Sequence, residues 1–346
     1  LWGSIFSFEG GKFFWKIPQC WRRTVTIRFG KPIHKPDSPT QVRQAVHELG
    51  ADLMADERRR DMNLARRFLR MCRCARFREK AVDSTGIHLT GAGLLMRTLV
   101  FRRLLRREVL AADERYVGLL LPPSAGAVVA NAALAIDQRV SVNLNYTLSS
   151  EVLNACIARC GIRHVLTSRR VMERLDLKID AELVFLEDFR AKVTVADKLL
   201  SLASAQLEPV WSLQRRLGLA KIEPDDLLTI IFTSGSTGMP KGVMLTFGNI
   251  GSNIDSIQRV LNLRRDDVLL GILPFFHSFG YTATLWTMLT LEPKAVYHYS
   301  PLEARQVGNL CREHGVTILV GSPTFLRSYT RRCEPEEFAT LDVVVA

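Results

Sequence analysis

Ile231-Phe232-Thr233-Ser234-Gly235-Ser236-Thr237-Gly238-Met239-Pro240-Lys241-Gly242-Val243 is the stretch from which the rest of the chain is read. An apolar run, Leu228–Phe232, reads as a strand and feeds a loop bearing four hydroxyls, Thr233, Ser234, Ser236 and Thr237. Gly235 and Gly238 free the backbone to turn its N–H groups towards an anion, and Lys241 adds a positive charge. It is not a Walker A loop, which needs Gly before the Lys and Ser/Thr after it; Pro240 and Gly242 flank Lys241 here. A plain Gly/Ser surface turn would carry the same glycines. Strand, hydroxyls and Pro240-Lys241-Gly242 together favour an anion-binding loop.

Outward from this loop, short β-branched runs recur at His164–Thr167, Leu183–Leu186, Leu269–Leu273, Ala295–Tyr299 and Ile318–Gly321. Helical segments separate them, which predicts an α/β fold of layered, mostly parallel sheets with helices. Two charge-free stretches are long enough to test as membrane spans, Val117–Ile136 and Val268–Leu291. Pro122-Pro123-Ser124 breaks the first, so a strand over Tyr116–Leu121 and an Ala-rich buried helix are expected. Pro274, His277, Ser278 and Gly280 interrupt the second, and strand–loop–helix is again expected. Upstream, Trp21–Gly30 alternates as a strand, and a proline-rich break precedes a helix over Gln41–Asp56. A second helix, Arg58–Arg78, sets Ala65, Phe68, Leu69, Cys72 and Ala75 on one face, with Arg66, Arg67, Arg70, Arg73 and Arg76 on the others.

At 47% hydrophobic and 24% charged residues, the 346-residue chain is neither disordered nor collagenous. Seven cysteines with CxC and CxxxC spacings, and no CxxC, argue against a zinc module or a disulfide scaffold. The net charge of +12 lies wholly in residues 1–115, which hold 24 Lys/Arg and 12 Asp/Glu; residues 116–346 hold 23 of each. The Arg58–Arg107 region could meet phosphates of a nucleic acid or of an anionic membrane surface, or be a solvated face. Its aromatics, Phe68, Phe77 and Phe101, make no stacking platform, so no nucleic acid is expected. A basic membrane-surface binding module is the non-enzyme alternative. The chain opens with Leu1 and ends in an apolar run, Leu341–Ala346, that reads as a buried strand cut short. An internal fragment is expected.

Thr233–Gly242 resembles the phosphate loop of the adenylate-forming (AMP-binding) enzymes, which include acyl-CoA and acyl-carrier-protein synthetases and peptide-synthetase adenylation domains. Leu273-Pro274-Phe275-Phe276-His277-Ser278-Phe279-Gly280 resembles their second core motif. Val117–Pro122 and Val142–Thr147 are similar to their early strand and the loop after the first helix. The resemblance implies ATP and Mg²⁺ as cofactors, with no protein residue assigned to the metal. It implies that Thr233, Ser234, Ser236 and Thr237 meet phosphate oxygens, that Gly235 and Gly238 allow backbone approach, and that Lys241 meets the leaving pyrophosphate. His277 would line the carboxylate end of the acyl pocket. Within the family, Asn143–Thr147, Thr167–Arg169, Leu186–Asp188 and Val193–Lys198 are similar to synthetases fused to a lysophospholipid acyltransferase.

That narrower likeness implies an acyltransferase tail at 1–55 and the first part of an AMP-binding synthetase domain at 56–346. Fatty acid, acyl carrier protein (or CoA) and a lysophospholipid would be the partners, on the cytoplasmic face of a bacterial inner membrane. A long-chain acyl-CoA synthetase is the alternative enzyme. The acyltransferase family's His-x4-Asp motif is absent: His34 and His88 are followed five residues on by Pro39 and Gly93, and His47/Asp52 matches by spacing alone. The family's adenine loop, ribose-binding Asp and second catalytic Lys would lie beyond Ala346. The fragment alone is therefore expected to be inactive.

Overall fold

A computed structural model describes residues 28–33, 35–233 and 240–346, the side chains of 53–61 and 190 excepted. The chain forms two compact units, residues 1–58 and 59–346. The first contributes most of helix α1 (Pro39–Asp61). His47 and Asp52 are both exposed on it, a helix turn and a half apart, as solvated side chains rather than a facing pair. Most of the strand expected at Trp21–Gly30 lies outside the described residues, and Arg28–Gly30 has no regular structure.

The helix expected over Arg58–Arg78 is broken. Residue Met62 lies between helices, Asn63 caps α2 (Leu64–Cys74) by accepting from Arg66 N at 3.0 Å, and its amide donates to Leu219 O at 2.8 Å. An Asn in the N-cap position competes with helix continuation by bonding the next turn's N–H. The chain then runs through β1 (Glu79–Asp83), β2 (His88–Thr90), α3 (Gly91–Glu108), β3 (Tyr116–Leu119), α4 (Ala125–Ile136), β4 (Val140–Asn143), α5 (Ser150–Cys160) and β5 (His164–Thr167). Next come α6 (Arg169–Arg174), β6 (Glu182–Phe185), α7 (Asp188–Lys192), α8 (Val195–Gln206) and α9 (Val210–Arg216). The remainder is β7 (Leu227–Thr233), β8 (Lys241–Thr246), α10 (Phe247–Leu261), β9 (Val268–Gly271), a π-helical turn (Gly280–Trp286), α11 (Thr287–Thr290), β10 (Lys294–Tyr297), α12 (Ala304–His314), β11 (Ile318–Val320), α13 (Pro323–Arg332) and β12 (Val343–Val345).

Two six-stranded sheets result, ordered β12-β11-β9-β10-β1-β2 and β6-β5-β3-β4-β7-β8. Every pair is parallel except β1–β2 and β7–β8. The strand period of two sorts side chains into layers. On β9, Val268 and Leu270 face α12 and α13, while Leu269 faces the central core; on β7, Ile230 and Phe232 face α5 while Ile231 faces the central core. That core holds α2, α3, α4 and the π-helical segment, with Phe68, Leu95, Tyr281 and Trp286 fully buried. The layers are therefore α/β/α/β/α, a form of the layered, mostly parallel sheets with helices that the alternation predicts. Among the described residues no helix is long and apolar enough to cross a membrane. The edge strand β12 is less buried than expected, with Val344 half exposed.

Candidate adenylation site

The loop that opens the sequence reading springs from a hairpin. β7 and β8 are antiparallel with Thr233 opposite Lys241, and Thr233 Oγ1 donates to Lys241 O at 3.4 Å. Residues 234–239 span the gap, so Ser234, Gly235, Ser236, Thr237 and Gly238 lie outside the described residues. Their anchors do not. Thr233 and Lys241 are both exposed at the carboxyl end of β7, in a parallel neighbourhood set by β4. Ligands of open α/β sheets bind at that edge, where loops leave the strands and the layers gape. Lys241 has no ion-pair partner among the described residues, so its charge is available to an anion.

The second motif leaves the carboxyl end of β9. Phe275 and Phe276 are buried, while His277, Ser278 and Phe279 are exposed. His277 N donates to Pro274 O at 3.2 Å, and Tyr281 N donates to His277 O at 2.8 Å. This turn requires Gly280: a Cβ there would lie 2.2 Å from Pro274 O. Phe275 meets Tyr297 edge-on at 5.8 Å, and Phe276 meets Tyr146 edge-on at 4.9 Å. Tyr281 Oη and Ser141 Oγ share a hydrogen bond of 3.1 Å, which ties the segment behind His277 to β4. Since β4 is also the neighbour of β7, one strand connects the His277 turn to the exit of the phosphate-loop hairpin. At the end of β4, Asn143 is locked to Asn131 by amide hydrogen bonds of 2.9 and 3.3 Å. Of the singled-out residues that are described, Thr233 and Lys241 are thus paired across one hairpin, and His277 stands on the turn joined to it through β4.

An apolar cavity of about 910 Å³ opens beside Tyr146. Phe101, Leu104, Val129, Leu186 and Phe189 wall it, with Arg97, Arg170, Arg174 and Lys198 as its basic residues. Burial pushes the Tyr146 hydroxyl upward, so it stays a neutral group at the cavity wall. Sequence reading missed this cavity. Only a surplus of apolar residues around α3 hints at it, and which of them face a void depends on where α7 and α8 pack.

The match to the AMP-binding enzyme family spans residues 72–345, most of the chain, and the protein belongs to that family. It is 31% identical over 225 residues to phosphinothricin tripeptide synthetase PhsC of Streptomyces viridochromogenes, covering 63% of this chain and 18% of that protein. It is 30% identical over 150 residues to acyl-CoA ligase SID4 of Ajellomyces capsulatus, covering 43% of this chain and 25% of that one. The fold matches O-succinylbenzoate coenzyme A synthetase (MenE) of Bacillus subtilis in complex with AMP, at a TM-score of 0.64 and 20% identity, over 80% of this chain and 66% of that one. The segments shared with the two curated relatives are a quarter or less of their length.

Proposed function

We propose that this chain carries the phosphate-binding and carboxylate-binding part of an AMP-forming acid ligase. In that reaction a carboxylate oxygen attacks the α-phosphorus of ATP, the bond to the bridging oxygen breaks, and acyl-adenylate and pyrophosphate form. The hairpin anchored by Thr233 and Lys241, in a family whose members bind AMP, is the observation that carries the reading. Thr233 with Ser234, Ser236 and Thr237 would donate to phosphate oxygens, and Gly235 and Gly238 would admit the phosphates to the backbone. Lys241 would neutralise the leaving pyrophosphate. Mg²⁺, when bound, supplies further positive charge to the triphosphate. Among the described residues no three His, Cys, Asp or Glu side chains converge as a metal cage. His277 would stand at the substrate carboxylate, with the acyl chain taking the apolar cavity beyond Tyr146.

A fatty acid suits a cavity of this size and lining. The finer reading is a bifunctional 2-acylglycerophosphoethanolamine acyltransferase/acyl-[acyl-carrier-protein] synthetase, working at an anionic membrane surface on the cytoplasmic face of a bacterial inner membrane. It rests on the motif likenesses at 143–147, 167–169, 186–188 and 193–198. Residues 1–55 would then belong to the acyltransferase and 56–346 to the synthetase. Acyl transfer to CoA is the second reading, favoured by the likeness to an acyl-CoA ligase. In the full-length protein, Lys241→Ala should lower carboxylate-dependent pyrophosphate–ATP exchange by about 10²-fold or more. Exchange at the wild-type rate would remove Lys241 from the mechanism. Supplying acyl carrier protein or CoA to the wild type then separates the two acceptors.

A further inference from the structure

Helix α8 is oriented against the usual rule. Asp197 is 1% exposed, whereas Val195, Leu199, Leu200 and Leu202 are 72, 60, 51 and 42% exposed. Leu207 and Trp211, which lead into and begin α9, continue the patch at 77 and 70%. Single apolar residues scatter over any surface, but six exposed ones within 17 residues of chain are a local excess. The orientation is held by polar ties rather than by burial of the leucines. Thr194 Oγ1 donates to Asp197 at 2.8 Å, Arg107 donates to it at 3.1 Å, and Arg103 lies 3.4 Å away. At the other end, Arg73 donates to Ala205 O at 2.6 Å and to Glu208 O, Arg76 donates to Gln206, and Arg66 donates to Gln214 at 3.3 Å. The arginines of α2, of the turn after it and of α3 thus hold α8 and α9 from beneath, and the leucines are exposed.

We infer that the exposed face of α8 and α9 is a docking surface for an anionic lipid bilayer. The inference deepens the membrane part of the reading above and rests on it. Charge supports this occupant. Asp188 is paired with Arg169 at 2.6 Å and Glu208 with Arg216 at 2.7 Å, and Asp197 is buried and tied. Lys198 and Arg215 are exposed, with no ion pair among the described residues. The region therefore shows water apolar groups, one Trp and two cations without an ion pair among the described residues, the combination that seats a helix in a headgroup layer. A second copy meeting this face across a two-fold axis would bring Lys198 and Arg215 against themselves. Depth supports a lipid as well. Leu199, Leu202 and Lys198 also line the 910 Å³ cavity, so apolar surface continues from outside to inside at this point. A bilayer against α8 would offer acyl chains directly to that opening.

The test uses the full-length protein and sedimentation with vesicles of phosphatidylcholine alone or mixed with phosphatidylglycerol. The wild type should bind the mixed vesicles, and more weakly as salt rises. Leu200→Asp combined with Leu207→Asp, both on the outer face, should weaken binding by at least about tenfold, with thermal unfolding unchanged. Val260→Asp, at an exposed position on α10, should leave binding intact. Brominated lipids should quench Trp fluorescence in the wild type, and less in Trp211→Phe. If the wild type ignores anionic vesicles, the inference and the membrane reading both fall. If the wild type binds and the double variant binds equally, only the inference falls. A wild-type dimer that the double substitution dissociates, without vesicle binding, would overturn it in favour of self-association.

Discussion

Lys80 shows how much one residue's chemistry depends on its surroundings. It is 2% exposed on β1, and its ammonium donates to Leu291 O at 2.5 Å and to Pro293 O. Burial pushes its pKa down to about 7, with the nearby Cys72 thiol acting the other way. The unfolded lysine titrates near 10.4, so between about pH 7 and 10 the unfolded chain binds more protons than the folded one. Stability from this residue should therefore rise with pH over that window, by at most about 1.4 kcal/mol per pH unit. Comparing wild type with Lys80→Met by denaturant unfolding at several pH values isolates the effect, because Met does not titrate. The wild type should gain on the variant between about pH 7 and 9. A difference that stays flat with pH would show that Lys80 keeps its ordinary pKa. Above that range Cys72 acts oppositely: burial pushes its thiol up, so the unfolded chain loses its proton first and stability falls.

At the scale of elements, the turn between β9 and the π-helical segment is the most constrained part of the candidate site. Pro274, His277 and Gly280 close it on themselves, and Gly280 has no room for a side chain against Pro274 O. Gly280→Ala must shift backbone rather than a flexible side chain, at a cost of about 1–3 kcal/mol. His277 is three residues away, so the shift should also displace it. The expected result is a lower denaturation midpoint together with weaker pyrophosphate–ATP exchange. Wild-type values of both would mean that the turn relaxes freely and that its geometry is not what positions His277. The hairpin of β7 and β8 carries a parallel lesson. Lys241 was legible as a lysine at the end of a Gly/Ser/Thr-rich loop, but not as the first residue of an antiparallel strand. That pairing depends on β8 finding β7's open edge, a long-range event that a motif does not encode.

For the whole molecule, several arginines of the first third have a different use from the one its composition suggests. Arg67 is buried and donates to Asp255 at 2.8 Å, and Arg102 meets Asp137 at 2.8 Å. Together with the arginines that carry α8 and α9, these are internal ties between elements far apart in sequence. The expectation that Arg66, Arg67, Arg73 and Arg76 form a face turned to solvent or lipid is corrected by these contacts. Arg73→Ala removes two carbonyl contacts at the end of α8 and should free that segment locally. Hydrogen exchange should then speed up over residues 195–216, with the strands of both sheets still protected. Unchanged exchange there would show that packing against α3 suffices to hold α8.

The layered parallel architecture was readable from the chain because strand and helix periods are local. Val268-Leu269-Leu270 and Leu228–Phe232 alternate faces whatever they pack against. The candidate loop at 233–241 stands out in the sequence for a similar reason: its hydroxyls, glycines and lysine are contiguous, so their proximity is covalent. The tertiary structure alone decided what depends on approach between distant residues. That includes the break at Met62-Asn63, where a cap bonds Leu219, and the contact of Tyr146 on Phe276 that joins the Val142–Thr147 segment to the Leu273–Gly280 segment. It includes the cavity between α3 and α8, and the outward leucines of α8. A sequence period says which side chains share a face. Which way that face points is set by the other elements that compete for it, and here buried Asp197 and the arginines around it turned the leucines of α8 towards water.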